Sequence, residues 1–358
     1  GKVRPEIQRR RFEAWERDLG DTAAAQAAPV RSAAARGYIT FVINTHDWLH
    51  VDESADIVLD LVTLFEKYGV RGDFYLTAPL VRHYAASRPD AIARLRDSDM
   101  TISYHVRPPH ALYPGFNERL RGLDDAALAK TLRDYETYQL DLATGDLDPS
   151  APGGYSYVAD TFGRKPVALG IPTGNPRERE AARKLYAELG ARVVVEYHES
   201  GTKVDRPFEW VDGLLIRPSD FSVTRWGPAS RGGKPNFWWN LLSTPRAADY
   251  DPVAYLEREL DAWSAPRPPI VTCIVHENNL YRGLATPWAK IYYADSEKQV
   301  PLKPPFNLDA PDASVPRTDA DKRAIWEAYE RIVAYAAEHL EVVTSADLVK
   351  MAEAAPRK

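Results

Sequence analysis

The feature that most constrains this chain is an alternation. Short, nearly unbroken apolar runs recur along it, and each hands over to a stretch whose apolar residues keep helical spacing. The first is Tyr38-Ile39-Thr40-Phe41-Val42-Ile43, a β-branched and aromatic run of the kind buried on both faces of a parallel sheet. Asp52-Glu53-Ser54 then opens a helix in which Ile57, Leu61, Leu64 and Phe65 share a side, and Gly69 ends it. Gly72 to Leu76 begins the next strand. Strand, helix and strand joined by short turns make the βαβ unit of a parallel sheet.

The pattern repeats to the end of the chain. A helix is predicted from Pro89 to Leu95, then a strand through Thr101 and Ile102. Val167 to Pro172, Arg192 to Glu196, Leu214 to Ile216, Ile270 to Val275 and Glu341 to Val343 read as further strands. Helices are predicted at Arg177 to Leu189, Pro252 to Trp263, Ala320 to His339 and Ser345 to Ala352. Seven or eight strands alternating with helices predict an α/β protein, a (β/α)7-8 barrel of parallel strands, with an open doubly wound sheet as runner-up. Residues 1–36, charged and then alanine-rich, read as an N-terminal helical extension. Residues 37–358 read as one barrel domain with insertions near 111–165, 225–240 and 286–317; the first contains a helix from Asp124 to Tyr138 and a glycine-rich loop at Gly153-Gly154. The 358 residues show no repeat and no linker that would divide them.

Composition removes several classes of function. A net charge of −5, without a basic run interleaved with aromatics, gives no reason to expect nucleic acid. No apolar run approaches the roughly 20 residues of a membrane span. The single cysteine, Cys273, excludes an internal disulfide and reads as a small buried hydrophobe inside the run 270–275. Nineteen tyrosines and nine tryptophans lean towards a carbohydrate partner, since such rings stack on sugar faces. No signal-peptide pattern opens the chain; the compartment is open, with a secreted or periplasmic one favoured. No phosphate or dinucleotide fingerprint follows any strand.

The polar residues fall where such a barrel keeps its chemistry. His46-Asp47, His105 with His110, Glu196 with His198, and His276-Glu277 each follow an apolar run, so all four lie on one rim. In Ser103-Tyr104-His105-Val106-Arg107-Pro108-Pro109-His110, two prolines restrict the backbone between the histidines and let both rings be aimed at one point. An aspartate and two histidines would leave coordination positions for water and substrate, and the bound metal would polarise a carbonyl and activate the water. His276 is placed to protonate a leaving amine or alkoxide, and His46 to act as base or orienter. His83 and His339 read as surface residues in helices, and His50 has no assigned part.

These residues resemble the polysaccharide deacetylase family (the NodB-homology domain, carbohydrate esterase family 4), in a divergent form covering about residues 38 to 352. Ile43-Asn44-Thr45-His46-Asp47 stands where that family has Thr-Phe-Asp-Asp. Tyr68-Gly69-Val70-Arg71-Gly72-Asp73-Phe74-Tyr75 is similar to its Gly-x-x-Ala-Thr-Phe-Phe segment, and Ile102 to His110 to its second metal motif. Val275-His276-Glu277 matches its Leu-His-Asp, and Leu340 to Leu348 its Phe-Val-Thr-Leu-Ser-Glu-Leu ending. The resemblance implies a distorted (β/α) barrel that removes acetyl groups, as N-acyl or O-acyl, from a carbohydrate. It implies Asp47, His105 and His110 as ligands of a divalent metal (zinc first; cobalt, nickel or iron also suit the donors), His276 as catalytic acid and His46 at the position of the base. Trp48, Trp226, Trp238 and Glu277 are the candidate substrate-binding residues.

Three departures stand out. His46 replaces the family's aspartate, the histidines are spaced by four residues rather than three, and Leu169-Gly170-Ile171-Pro172-Thr173-Gly174 lacks the arginine of the third motif, which Arg177, Arg217 or Arg225 would have to supply. Other readings are an amidase for a small non-sugar amide, with the insertions lidding the rim, and a degenerate member that binds polysaccharide through Trp226, Trp238, Trp239 and Trp288. A two-carboxylate glycosidase using Glu196, Glu199 or Glu277 ranks below these.

Overall fold

The computed structural model describes residues 35–196, 207–223, 251–296 and 298–355. The expected N-terminal helical extension lies outside these residues, as do His198, Glu199, Arg225, Trp226, Trp238 and Trp239. The described residues belong to one compact unit that begins at Ala35.

Ten strands form the main sheet: β1 (Tyr38–Thr45), β2 (Asp73–Leu76), β3 (Thr101–Tyr104), β4 (Ala168–Ile171), β5 (Val193–Glu196), β6 (Glu209–Val211), β7 (Leu214–Ile216), β8 (Phe221–Ser222), β9 (Ile270–His276) and β10 (Glu341–Val342). Their order is β8-β9-β1-β2-β3-β4-β5-β7-β6, with β10 on β1. All pairings are parallel except the β6–β7 hairpin. The result is a curled, mostly parallel sheet with helices, a distorted (β/α) barrel. β1 lies in the interior of the sheet, with both of its edges used: one pairs with β9, and the other is shared by β10 at Tyr38–Ile39 and β2 at Val42–Thr45.

Sequence periodicity accounts for the layering. Ile39, Phe41 and Ile43 pack into the large core shared with the helices. Val42 turns the other way, into a smaller core with Tyr75, Ala168, Val193, Leu215 and Ile270. That inner core is closed by Leu348 and Val349 of α9 (Ser345–Ala354), the last of the helices numbered below. Here Asp73 at the head of β2 accepts hydrogen bonds from the Ser345 backbone N–H (2.8 Å) and hydroxyl (2.7 Å).

The helices follow their sequence signals. α1 (Val51–Lys67) carries Asp52 and Glu53 in its first turn and buries Ala55, Val58, Leu61, Val62 and Phe65. α2 (Ala78–Ser87), which the pattern of apolar residues did not announce, begins with the Thr77 side chain capping Leu80 and a proline in its first turn. α3 (Pro89–Asp97), α4 (Asp125–Tyr135), α5 (Gly154–Phe162), α6 (Pro176–Leu189), α7 (Pro252–Asp261) and α8 (Asp319–His339) are the other longer helices before α9, with a single helical turn at Ala289–Tyr292. α8 opens with a capping box formed by Thr318 and Asp321.

The insertion near 111–165 is a folded wall. α4 leads into a hairpin of residues 138–140 and 147–152, and the pair Gly153-Gly154, expected as a loop, starts α5. Both glycines are required by close approach. A Cβ on Gly153 would lie 2.0 Å from the Tyr138 carbonyl oxygen, and one on Gly154 (φ +56°) 2.3 Å from Glu136 Cα. The Gly154→Ala protein is therefore expected to lose at least about 2 kcal/mol of stability, through strain and backbone overlap together; thermal melting of both proteins measures it.

Candidate active site

The sheet register assembles the rim. Thr45 pairs with Leu76, and Leu76 with Tyr104, so His46, Thr77 and His105 leave the sheet at the same level. On the other side Asn44 pairs with His276. The rings of His46 and His276 lie 5.0 Å apart, centroid to centroid, and those of His46 and His105 5.9 Å apart. Three of the four strand ends singled out from the sequence thus meet. The fourth, Glu196, ends β5, two strands beyond β3 in the sheet order.

Arg107 lies among these rings. Its Nε donates to His46 Nδ1 (2.9 Å) and its Nη2 to His276 Nε2 (3.0 Å). A guanidinium only donates, so both imidazole nitrogens facing it carry lone pairs. The His46 proton then sits on Nε2, which faces Asn278 Oδ1 at 3.3 Å. Burial, followed by the Arg107 charge, holds His46 and His105 well below the usual imidazole range and brings His276 down to about 3. The rim therefore carries neutral imidazoles around one cation. Among the described residues no carboxylate forms an ion pair with Arg107; its guanidinium lies 5.9 Å over the Tyr113 ring. The sequence offered Arg177, Arg217 and Arg225 for the missing arginine. Arg177 instead bonds Asp125 (2.8 Å) at the surface, and Arg217 lies near Asp73 and Tyr75.

The three residues expected to hold a metal are not brought to one point. Among the described residues no three His, Cys, Asp or Glu side chains are grouped as a metal centre requires. Asp47 is fully buried, and its carboxylate accepts from the Tyr281 hydroxyl (2.7 Å) and the Leu49 and His50 backbone N–H groups. It also faces His50 Nδ1 at 3.0 Å. His110 accepts the Leu112 N–H at Nδ1 (3.1 Å), so its proton is on Nε2, which meets Glu136 Oε1 at 3.1 Å. Glu136 also takes the Tyr155 N–H (2.8 Å) and the Tyr186 hydroxyl (2.5 Å). His110 is thereby part of the wall built by α4, α5 and α6. His105 differs from both: it is 2% exposed, and neither ring nitrogen has a hydrogen-bond partner among the described residues. This donor set, with two members committed elsewhere and a guanidinium beside the third, does not fit a divalent ion.

Glu277, expected to touch substrate, lies fully buried beneath the rim. Its Oε1 accepts the backbone N–H groups of His46 and Asp47 (2.5 Å each) and the Ser54 hydroxyl (3.2 Å). Trp48 does reach the site, stacked on His83 with centroids 6.2 Å apart and planes at 11°. His83 was read as an ordinary surface residue; the structure makes it part of the pocket wall. Trp288 is buried edge-on to His46 at 6.0 Å. His50 bridges Asp47 and Asp312, the latter 3.1 Å from its Nε2. Burial opposes a charge on that ring, but the Asp47 bond and the two carboxylates prevail and raise its pKa. The spacing of Asp47 and His50 was the available signal for that pair. Nothing in the sequence around Glu136 marked it as the partner of His110.

A pocket of about 270 Å³ opens on this rim. His46, Trp48, His105 and Arg107 line it together with Tyr135 and Leu140 from the 111–165 insertion.

The fold has a counterpart among solved structures. Among solved structures, a Puue allantoinase is similar over 93% of this chain and 96% of its own, at 12% identity and a TM-score of 0.50. A protein from Mycobacterium smegmatis described as a polysaccharide deacetylase matches over 93% and 97%, at 15% identity and a TM-score of 0.47. Another so described, from Pseudomonas aeruginosa PAO1, matches over 90% and 93%, at 13% identity and a TM-score of 0.47. Likeness at these identities concerns the fold alone. No family model matches the sequence, and no curated protein matches it.

Proposed function

We propose that this chain is a hydrolase that removes an acyl group, acetyl first, from an acylated carbohydrate unit taken into the rim pocket. The observation that carries this reading is His105: a buried, neutral imidazole with no hydrogen-bond partner, on the pocket wall near the Arg107 guanidinium. In the reaction, the oxygen of a water bonds to the acyl carbon while His105 accepts the water's proton. Arg107 N–H groups face the carbonyl oxygen as it gains charge. The bond from carbon to nitrogen or oxygen then breaks, the proton passes from His105 to the leaving atom, and a carboxylic acid and an amine or alcohol result, the acid giving its proton to the amine or to solvent. His46 and His276, which both accept from Arg107, position that guanidinium rather than donate a proton.

Acetate release from N-acetylated and O-acetylated mono- and oligosaccharides, assayed beside small amides without a sugar, tests the reading. Release from sugars supports it. Sugar binding without turnover of any substrate would sink it in favour of a non-catalytic binder. Release from the small amides alone is the second reading, favoured by the pocket size and by the insertion residues that wall it; the fold shared with an allantoinase accords with it. The pH profile is a further check. Because the His105 pKa is lowered, its neutral form persists below the ordinary 6.5, so kcat/KM is expected to stay level through that value and to fall only at lower pH.

A further inference from the structure

We propose that Arg107 is the fixed cation of this site, so that the site works without a metal ion and its guanidinium holds the acyl oxygen or the carboxylate released from it. This rests on the hydrolase reading above for its substrate, though not for its test. Four observations carry it. The guanidinium bonds His46 and His276 at 2.9 and 3.0 Å, and both contacts are with lone pairs of neutral rings, so its charge is oriented without being cancelled. Two of the five N–H donors of a guanidinium are spent in this way; among the described residues the rest have no partner, and Arg107 lines the pocket in which a ligand would meet them. Asp47 and His110, two of the three donors a metal would need, are committed to Tyr281 and His50 and to Glu136 and Leu112. His105, the third, lies with unpartnered nitrogens on the same pocket wall, and a divalent ion bound there would face the guanidinium charge.

A planar fork of this kind matches a carboxylate geometrically, as a point charge does not. The pocket is accordingly a receptor for a small carboxylate, and the imidazoles around it serve as acceptors that keep the fork in place. This also gives a physical reason for His46 at the position where the resembling family has aspartate. An aspartate there would form an ion pair with Arg107 and cancel the charge the ligand needs, whereas a neutral imidazole only aims it.

The experiment uses the whole chain with acetate and zinc as probes. Chelator-treated protein is dialysed against zinc and its metal content measured; acetate binding is followed by NMR of the histidine rings. Wild type is expected to retain well under one equivalent of zinc and to bind acetate equally with and without chelator. Arg107→Gln is expected to weaken acetate binding at least tenfold, Arg107→Lys to bind between the two, and added methylguanidinium to restore binding to Arg107→Ala. One retained equivalent of zinc, loss of acetate binding on chelation, or wild-type acetate affinity in Arg107→Gln would each overturn the proposal. If Arg107→Gln fails to fold, the zinc and chelator arms on wild type still decide. None of these readouts requires turnover, so absence of hydrolase activity and failure of this proposal are separable results.

Discussion

Replacing Glu277 by alanine is expected to destabilise the protein by about 3 to 5 kcal/mol, seen as a lower urea midpoint with an unchanged slope. One oxygen of this carboxyl receives two backbone N–H groups and the Ser54 hydroxyl in a place with no exposure. Truncation leaves the two backbone donors without a partner, while Ser54 keeps the Tyr84 hydroxyl (2.7 Å), and it opens a void. Glu277→Gln keeps the accepting oxygen and is expected to remain within about 1 kcal/mol of wild type. The pair also separates by pH. Burial first, then the Asp47 charge, pushes the Glu277 carboxyl up to about 8, against the pull of its N–H partners. Between the ordinary 4.5 and about 8 the native state holds a proton that the unfolded chain has released, so stability falls as pH rises through that window and levels off above it. Glu277→Gln has no such proton to lose, so its stability should fall less than that of wild type across the window, the titrations of Asp60 and Asp73 being common to both. Urea titrations at pH 5 and pH 8.5 measure the difference; equal slopes for the two proteins would refute it.

The largest expected effect on activity is that of His105→Asn, a fall of about 10²- to 10⁴-fold in kcat with KM little changed, the range for loss of a general base. Stability should hardly move, because the imidazole makes no hydrogen bond that asparagine would forfeit. His110→Ala should behave in the opposite way. It leaves Glu136 short of a buried partner and exposes its effect in the melting curve first. Equal loss of activity from both variants, with unchanged stability, would mean that the two histidines act as a chemical pair after all. Measuring kcat, KM and Tm for the two proteins together makes that distinction.

The barrel was legible because its strands are buried on both faces and therefore announce themselves as unbroken runs, as in 38–43 and 270–275. The meeting of His46, His105 and His276 was legible for the same reason, since register carries strand ends to a common rim. What the sequence did not disclose was which polar groups are already committed. Hydrogen bonds such as His110 to Glu136 or Glu277 to His46 join residues whose separation along the chain says nothing of their distance in space. Arg107 was hidden by its setting. Beside two prolines it read as part of a stiff turn, and only the fold shows that the turn carries a charge into the centre of the rim. α2 left a signal that was passed over, the Thr77 cap followed by Pro79.

The bond network around β1 and β9 has a further consequence for how the molecule comes into being. Asn44 and His276 are neighbours across the sheet although 232 positions separate them in the chain, and Glu277 fastens the backbone at His46 from a similar distance. During synthesis, β1, α1 and β2 emerge with β1 lacking its partner along one edge, and that edge stays unpaired until residue 276 has been made. The bond from Arg107 to His276 is thus a late product of folding, although the residues that line the pocket lie between 46 and 154. A ribosome-bound chain ending before β9 would carry the residues that line the pocket and lack the His276 ring and the Glu277 carboxyl that fix Arg107 and the His46 backbone.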